Sequence, residues 1–325
     1  MSEKNWFKEA QYGMMIHFGL YSILAGEYRG QRMDNCIAEW AQSYFQIPNA
    51  EYEKLANAFN PVYFDADEWT ELAVRAGMKY LVFTAKHHEG FALFHSKVDK
   101  YNVVDATPFG RDIVKEISDS CHKKGLKFGL YYSQALDWHE PHSGGWSEKT
   151  ETEQGKPWKN TWDFPNEEHD YEICFRRKIV PQVTELLTGY GDIDLIWFDT
   201  PADISAEQSR ELYDLVKKYQ PNCMINSRIG YLPGVKFDYA SAEDNEINAE
   251  RVEGLFEVPA TMNDTWGFKY YDSNWKSPEE IYRIRHMLEG KGINYLLNVG
   301  PDHLGRIPAP SVDILLRVRE LEDEA

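Results

Sequence analysis

Short, uninterrupted apolar runs recur along this chain, and each ends in a polar residue or a glycine. The sharpest is Leu195-Ile-Trp-Phe-Asp199, four apolar residues closed by a carboxylate. A strand buried on both faces of a parallel sheet reads this way. Tyr12 to Phe18 is a first strand of the same kind, ending in His17 and Gly19. Lys79–Ala85 is a second and runs into Lys86-His87-His88-Glu89-Gly90-Phe91; Lys127–Ser133 is a third. Beyond the Asp199 strand, Pro221–Arg228, Val235–Ala240 and Ile293–Val299 are further strands.

Helical spacing fills the intervals. Ala66–Gly77 places Trp69, Leu72 and Ala73 on one face and stops at Gly77; Arg111–Lys124 does the same with Ile113, Val114, Ile117 and Cys121, closed by Gly125. Ala50–Phe59, Tyr171–Tyr190, Ala206–Tyr219, Pro278–Glu289 and Ser311–Leu321 are also predicted helical, whereas polar Glu140–Trp162 reads as a surface excursion. Strands alternating with helices predict parallel βα units. Seven or eight of them predict an α/β fold, a (β/α)8-type, TIM-like barrel that need not be regular. No repeat, low-complexity stretch or linker divides residues 1–325, so one catalytic domain is expected.

Composition narrows the partners. The chain has 53 acidic and 35 basic residues and a net charge of -18, which repels phosphate backbones and anionic membranes. No nucleic-acid or membrane partner is expected, and no apolar run is long enough to span a bilayer. Aromatics reach 14%, with 10 Trp and 20 Tyr, more than a core demands. Ring-lined clefts suit the CH faces of sugars. Cys36, Cys121, Cys174 and Cys223 lie far apart and read as free thiols of a reducing compartment. With no apolar leader before Trp6, a cytoplasmic location is the expectation, unless a signal was trimmed. Self-association into a homo-oligomer is left open.

Barrel chemistry collects just after the strands. His17, His87, His88, Tyr131, Tyr132, Trp197, Asp199, Asn226, Arg228 and Glu243 all fall there. A metal hydrolase could use His17, His87, His88 and Asp199, but adjacent histidines on an extended strand point to opposite sides, and HExxH is absent. GxSxG and GxGxxG are also absent, so neither an esterase elbow nor a dinucleotide site is expected, and no cofactor or metal is required. A sugar-binding protein without catalysis stays open as an alternative.

A glycosidase needs two carboxyl groups flanking the scissile bond. Asp199 on its strand suits a nucleophile, held ionised by Arg228 or a protonated histidine. Glu243 or Glu257, near Tyr239, Phe256 and Trp266, suits an acid/base whose pKa burial would raise. The imidazoles and Arg228 fit as donors to ring hydroxyls, and Trp197 as a stacking face.

The chain resembles the α-L-fucosidases of glycoside hydrolase family 29. The matching stretches include Trp6-Phe-Lys-Glu-Ala-Gln-Tyr-Gly-Met-Met-Ile-His-Phe-Gly19, Ala38-Glu-Trp40, Lys86-His-His-Glu-Gly-Phe91 and Gly129-Leu-Tyr-Tyr-Ser133. Leu195-Ile-Trp-Phe-Asp199, Asn226-Ser-Arg228, Trp266-Gly-Phe and Leu297-Asn-Val-Gly-Pro301 continue them in order. The resemblance implies a retaining exo-glycosidase that releases α-L-fucose from fucosylated oligosaccharides or glycosides through a covalent glycosyl-enzyme. It implies Asp199 as nucleophile and His17, Glu39, Trp40, His87, His88, Trp197, Arg228 and either Tyr131 or Tyr132 as fucose-binding residues. For the acid/base it offers Glu243, in Asp238-Tyr-Ala-Ser-Ala-Glu243, and Glu257, where Phe-Glu replaces the usual Trp-Glu. Glu243 is preferred. Many members append a β-sandwich, for which this chain has no counterpart after Pro308.

Overall fold

The computed structural model describes residues 6–147, 157–166, 168–250 and 253–324. Eight parallel strands run in chain order around a barrel: β1 (Tyr12–Ile16), β2 (Tyr80–Lys86), β3 (Lys127–Ser133), β4 (Leu195–Asp199), β5 (Met224–Ile225), β6 (Ala240–Ser241), β7 (Phe256–Thr261) and β8 (Asn294–Val299). β8 pairs with β1, and the ring closes between β5 and β6 through one bridge, Asn226 with Tyr239. At this thin seam Asp238 N donates to Ile225 O at 2.8 Å. Asn226 repairs it from the side: its amide accepts from Phe198 N and donates to Phe198 O, both at 2.9 Å, as a longer β5 backbone would.

Helices α1 (Ala66–Arg75), α2 (Ile113–Lys124), α3 (Val180–Gly189), α4 (Ala206–Tyr219), α5 (Pro278–Gly290) and α6 (Ala309–Glu324) form the outer layer. Side-chain caps start several of them: Asp65, Asp112, Ser205 and Ser277 each accept from a first-turn N–H. The Tyr171–Tyr190 prediction resolves into a turn of helix at Tyr171–Cys174, a π segment at Phe175–Ile179 and α3. Ala50–Phe59 becomes a short α turn, Asn49–Tyr52, followed by a 3-10 turn, Glu53–Ala58. The β5–β6 interval holds a single 3-10 turn, Ser227–Ile229, in place of a helix.

Two hydrophobic clusters follow from strand alternation. Leu130, Tyr132, Ile196 and Phe198 face the helices, while Met15, Val82, Tyr131, Leu195 and Trp197 fill the barrel interior. A side chain at Gly13 would sit 2.4 Å from the Tyr80 ring, so glycine there makes room for that ring inside the barrel. Tyr132 is therefore an outer-layer residue, its hydroxyl donating to Gln182 Oε1 at 2.8 Å.

Part of the Glu140–Trp162 excursion, residues 148–156, lies outside the described residues. The described remainder packs inward. Trp162 Nε1 donates to Ile47 O at 3.0 Å, and Trp158 meets Trp40 edge-on at 5.7 Å.

Candidate active site

Asp199 is the last residue of β4 and lies at the C-terminal mouth of the barrel, 8% exposed. Three contacts aim its carboxylate. Tyr131 Oη donates to Oδ2 at 2.7 Å, Arg228 Nη1 donates to Oδ1 at 3.1 Å, and Gln134 Oε1 accepts from its backbone N at 2.8 Å. The other end of the Gln134 amide donates to Arg228 O at 2.9 Å, so one buried amide ties the β4 and β5 ends together.

Arg228 is the hub. Its Nη2 donates to Asp244 Oδ1 at 2.6 Å and to Ala242 O at 2.8 Å, and its guanidinium lies over the Trp197 ring at 4.6 Å. The paired carboxylates hold its pKa well above the usual arginine value despite burial, so it stays cationic. Two carboxylates thus share one cation. The Asp244 side chain is 45% exposed at the rim, whereas that of Asp199 is 12% exposed.

The pocket around them is lined by His17, Glu39, Trp40, His87, His88, Tyr131, Trp197, Asp199, Arg228 and Asp244, with Met15, Ile37 and Trp266 completing it. His87 and His88 both face it, with ring centroids 4.0 Å apart. The expectation of opposite sides fails because β2 ends at Lys86. A bulge there and the turn closed by Gly90 N on His87 O (3.1 Å) swing both imidazoles inward. At Gly90 φ is +77°, and a side chain would collide with Asp137 Oδ1 at 2.2 Å, so the turn demands glycine.

The histidines are neutral acceptors rather than cationic donors. Burial lowers His17 to about 4 and His87 and His88 well below the usual imidazole value. Asn298 Nδ2 donates to Trp266 O at 2.7 Å, which fixes its amide and leaves Oδ1 to accept from His17 Nδ1 at 2.8 Å. Ser133 Oγ donates to Leu136 O at 2.7 Å and so accepts from His88 Nδ1, also at 2.7 Å. Both rings therefore present an unprotonated Nε2 to the pocket. Among the described residues, Arg228 is the permanent cation paired with Asp199.

Glu39 is buried, accepts from Gly267 N at 2.9 Å, and is pushed up to about 7 by desolvation. Trp40 meets His88 and Trp138 edge-on at 5.4 and 5.1 Å.

Three predicted residues are not in the pocket. Tyr132 faces the helices, so of the tyrosine pair only Tyr131 reaches the site. Glu243 is exposed on the loop after β6, outside the pocket lining, and its backbone N donates to Glu246 Oε2 at 3.2 Å. Glu257 is paired with Asn294, the first residue of β8, which puts it at the opposite, N-terminal end of the barrel. The carboxylate that does reach Arg228 is the neighbour of Glu243, Asp244. Strand alternation gives no hint of it, because it sits on an irregular loop. Among the described residues, no group of three or more His, Cys, Asp or Glu is placed to hold a metal ion.

The Alpha-L-fucosidase family model matches residues 1–320. The chain is 55% identical to the α-L-fucosidase AlfC from Lactobacillus casei, solved with α-L-fucose product, over 98% of each chain with a TM-score of 0.93. That enzyme is also solved, as an aspartate-to-alanine variant, in complex with Fucα(1,6)GlcNAc. An α-L-fucosidase from Vibrio sp. strain EJY3 is 39% identical, covering 98% of this chain and 54% of that one, with a TM-score of 0.88. A putative α-L-fucosidase from Caenorhabditis elegans is 28% identical over 324 residues, 94% of this chain and 62% of the relative. The chain thus spans less than two thirds of that curated relative's length. By the family match over nearly its whole length, the chain belongs to the α-L-fucosidase family.

Proposed function

We propose that this protein is a retaining α-L-fucosidase in which Asp199 is the nucleophile and Asp244 the acid/base. The observation that carries the reading is one guanidinium, Arg228, held between both carboxylates at the mouth of a ring-lined pocket. Retaining glycosidases work with two carboxyl groups about 5–5.5 Å apart. Two carboxylates ion-paired to the same fork suit that close spacing.

In the first step Asp199 attacks the anomeric carbon of fucose, and the bond to the leaving oxygen breaks as Asp244 protonates that oxygen. In the second, Asp244 takes a proton from water as the water attacks the same carbon, freeing Asp199 and α-L-fucose. Two inversions give net retention. Half-exposed Asp244 can meet both the leaving group and water, which sealed Glu39 cannot. Arg228 lies between the two carboxylates and offsets the repulsion between them.

The neutral Nε2 atoms of His17 and His88 accept hydroxyl protons of the sugar, and His87 and Glu39 add polar contacts. Trp40, Trp197 and Trp266 offer faces to its apolar edges. The ligands named for the L. casei enzyme support α-L-fucose joined (1,6) to GlcNAc as a substrate. Four free, buried cysteines support a reducing, cytoplasmic setting.

Asp199→Gly tests the nucleophile on an aryl α-L-fucoside. Turnover is expected to fall on the order of 10⁴-fold or more, with azide restoring part of it. Full activity in this variant overturns the reading.

A further inference from the structure

Among the fully buried acids that the mechanism leaves unused, Glu257 is the one that touches a pocket ring. Glu257 lies inside the barrel at 0% exposure, two residues into β7. Its Oε1 accepts from Trp197 Nε1 at 2.9 Å, and its Oε2 accepts from Tyr80 Oη at 2.7 Å. Side chains from β2, β4 and β7 thus meet at one carboxyl group. No cation is bonded to it, and the Tyr239 phenol packs nearby on Phe7.

What Trp197 does at its other side gives this contact its meaning. Arg228 lies over the indole at 4.6 Å, and the Tyr131 ring stacks beside it at 5.5 Å and 19°. Arg228 and Tyr131 are the side chains that donate to the Asp199 carboxylate. Both partners of the nucleophile therefore rest on one ring, and that ring is pinned at its N–H by Glu257.

We propose that Glu257 is a positioning residue that acts through Trp197, anchoring the indole so that Arg228 and Tyr131 hold Asp199 in line for attack. This rests on Asp199 being the nucleophile. The physics is direct. A buried indole N–H needs an acceptor, and leaving it without one favours another tilt of the ring. A carboxyl acceptor also draws the N–H toward it and enriches the ring face, which strengthens the cation–π contact with Arg228. Glu257 accordingly couples the closed end of the barrel to the reacting end without touching substrate.

The test is a double-mutant cycle. E257L is expected to lower kcat on the order of 10²-fold with KM changed only a few-fold, as a small misplacement of reacting groups does. The loss should be equal for aryl fucosides with good and poor leaving groups. In a W197F background, where no indole N–H remains, E257L should add little further loss. E257Q keeps the shape and an acceptor and should recover most of kcat. Losses that add fully to those of W197F, or that grow with poorer leaving groups, overturn the proposal. Should E257L not fold, E257A, which also removes the acceptor, carries the cycle: a kcat loss present with Trp197 and absent in W197F is expected, and equal losses or none in both overturn it. A fully active Asp199→Gly enzyme would instead sink the nucleophile reading, whatever the cycle gives.

Discussion

The two ends of the barrel interior each hold carboxyl groups among aromatic rings, yet only one end is built for chemistry. At the mouth, Asp199 and Asp244 share Arg228, and Asp244 stands 45% exposed at the rim. At the closed end, Glu257 is sealed between Tyr80 and Trp197, with no cation in hydrogen-bonding reach. Desolvation pushes Glu257 up to about 7, the range usually sought in a general acid. A raised pKa therefore marks burial, and proton transfer needs access besides. The acid must reach the leaving oxygen and then exchange with water, and in the proposed mechanism the rim carboxylate, 45% exposed, has that access.

The largest expected effect separates the two ends by leaving group. Asp244→Asn should cost on the order of 10²–10⁴-fold in kcat/KM on a fucosyl disaccharide, where the departing alcohol needs a proton. On an aryl fucoside with an acidic phenol the first step should change little. Parallel rate measurements on both substrates check it; equal losses on the two would remove Asp244 from the acid role.

A second prediction concerns stability, and its sign follows from the raised pKa. Glu257 titrates near 7 when folded, against an ordinary 4.5. Its contribution to folding is then full below about 4.5 and lost as pH rises through 7, a swing of about 3 kcal/mol. E257Q carries no such loss. Its Tm relative to wild type should climb by several degrees between pH 5 and pH 8. A Tm difference that stays flat with pH would mean Glu257 is not the buried titrating group described here.

How much of this was legible in the sequence differs along the chain for physical reasons. β1 to β4 are buried on both faces, so their apolar runs announce them, and with them Asp199, His17 and the His87–His88 pair at their ends. β5 and β6 are two residues each, so the predicted strands overrun them: Pro221–Arg228 contains β5, and Val235–Ala240 meets β6 only at Ala240. β7, Phe-Glu-Val-Pro-Ala-Thr, went unseen because Glu257 and Pro259 break its apolar pattern; both are tolerated inside a barrel whose interior supplies the Tyr80 and Trp197 donors. Among the described residues no α-helix lies between β5 and β6 or between β6 and β7, so the βα alternation is missing where Asp244 lies. The loop after β6 carries the predicted Glu243, and the carboxylate on that loop that reaches Arg228 is its neighbour Asp244. Neighbours in an irregular loop have no fixed sidedness, and Arg228 selects Asp244 in space alone.

The smallest effect tests that one-residue difference. Glu243 is exposed, and the bond given to it is the one its backbone N donates to Glu246 Oε2 at 3.2 Å. Truncating its side chain removes neither a bond to Arg228 nor a pocket wall. Glu243→Ala should therefore keep kcat/KM within about twofold of wild type on good and poor leaving groups alike, with stability shifted by no more than about 0.5 kcal/mol. Asp244→Ala, one residue on, should lose the disaccharide reaction and leave Arg228 paired with Asp199 only. Adjacent side chains on the same loop would then differ by orders of magnitude, because one reaches the shared guanidinium and the other faces water. A strong loss in Glu243→Ala confined to poor leaving groups would reverse the assignment and require the loop to turn by one residue when substrate binds.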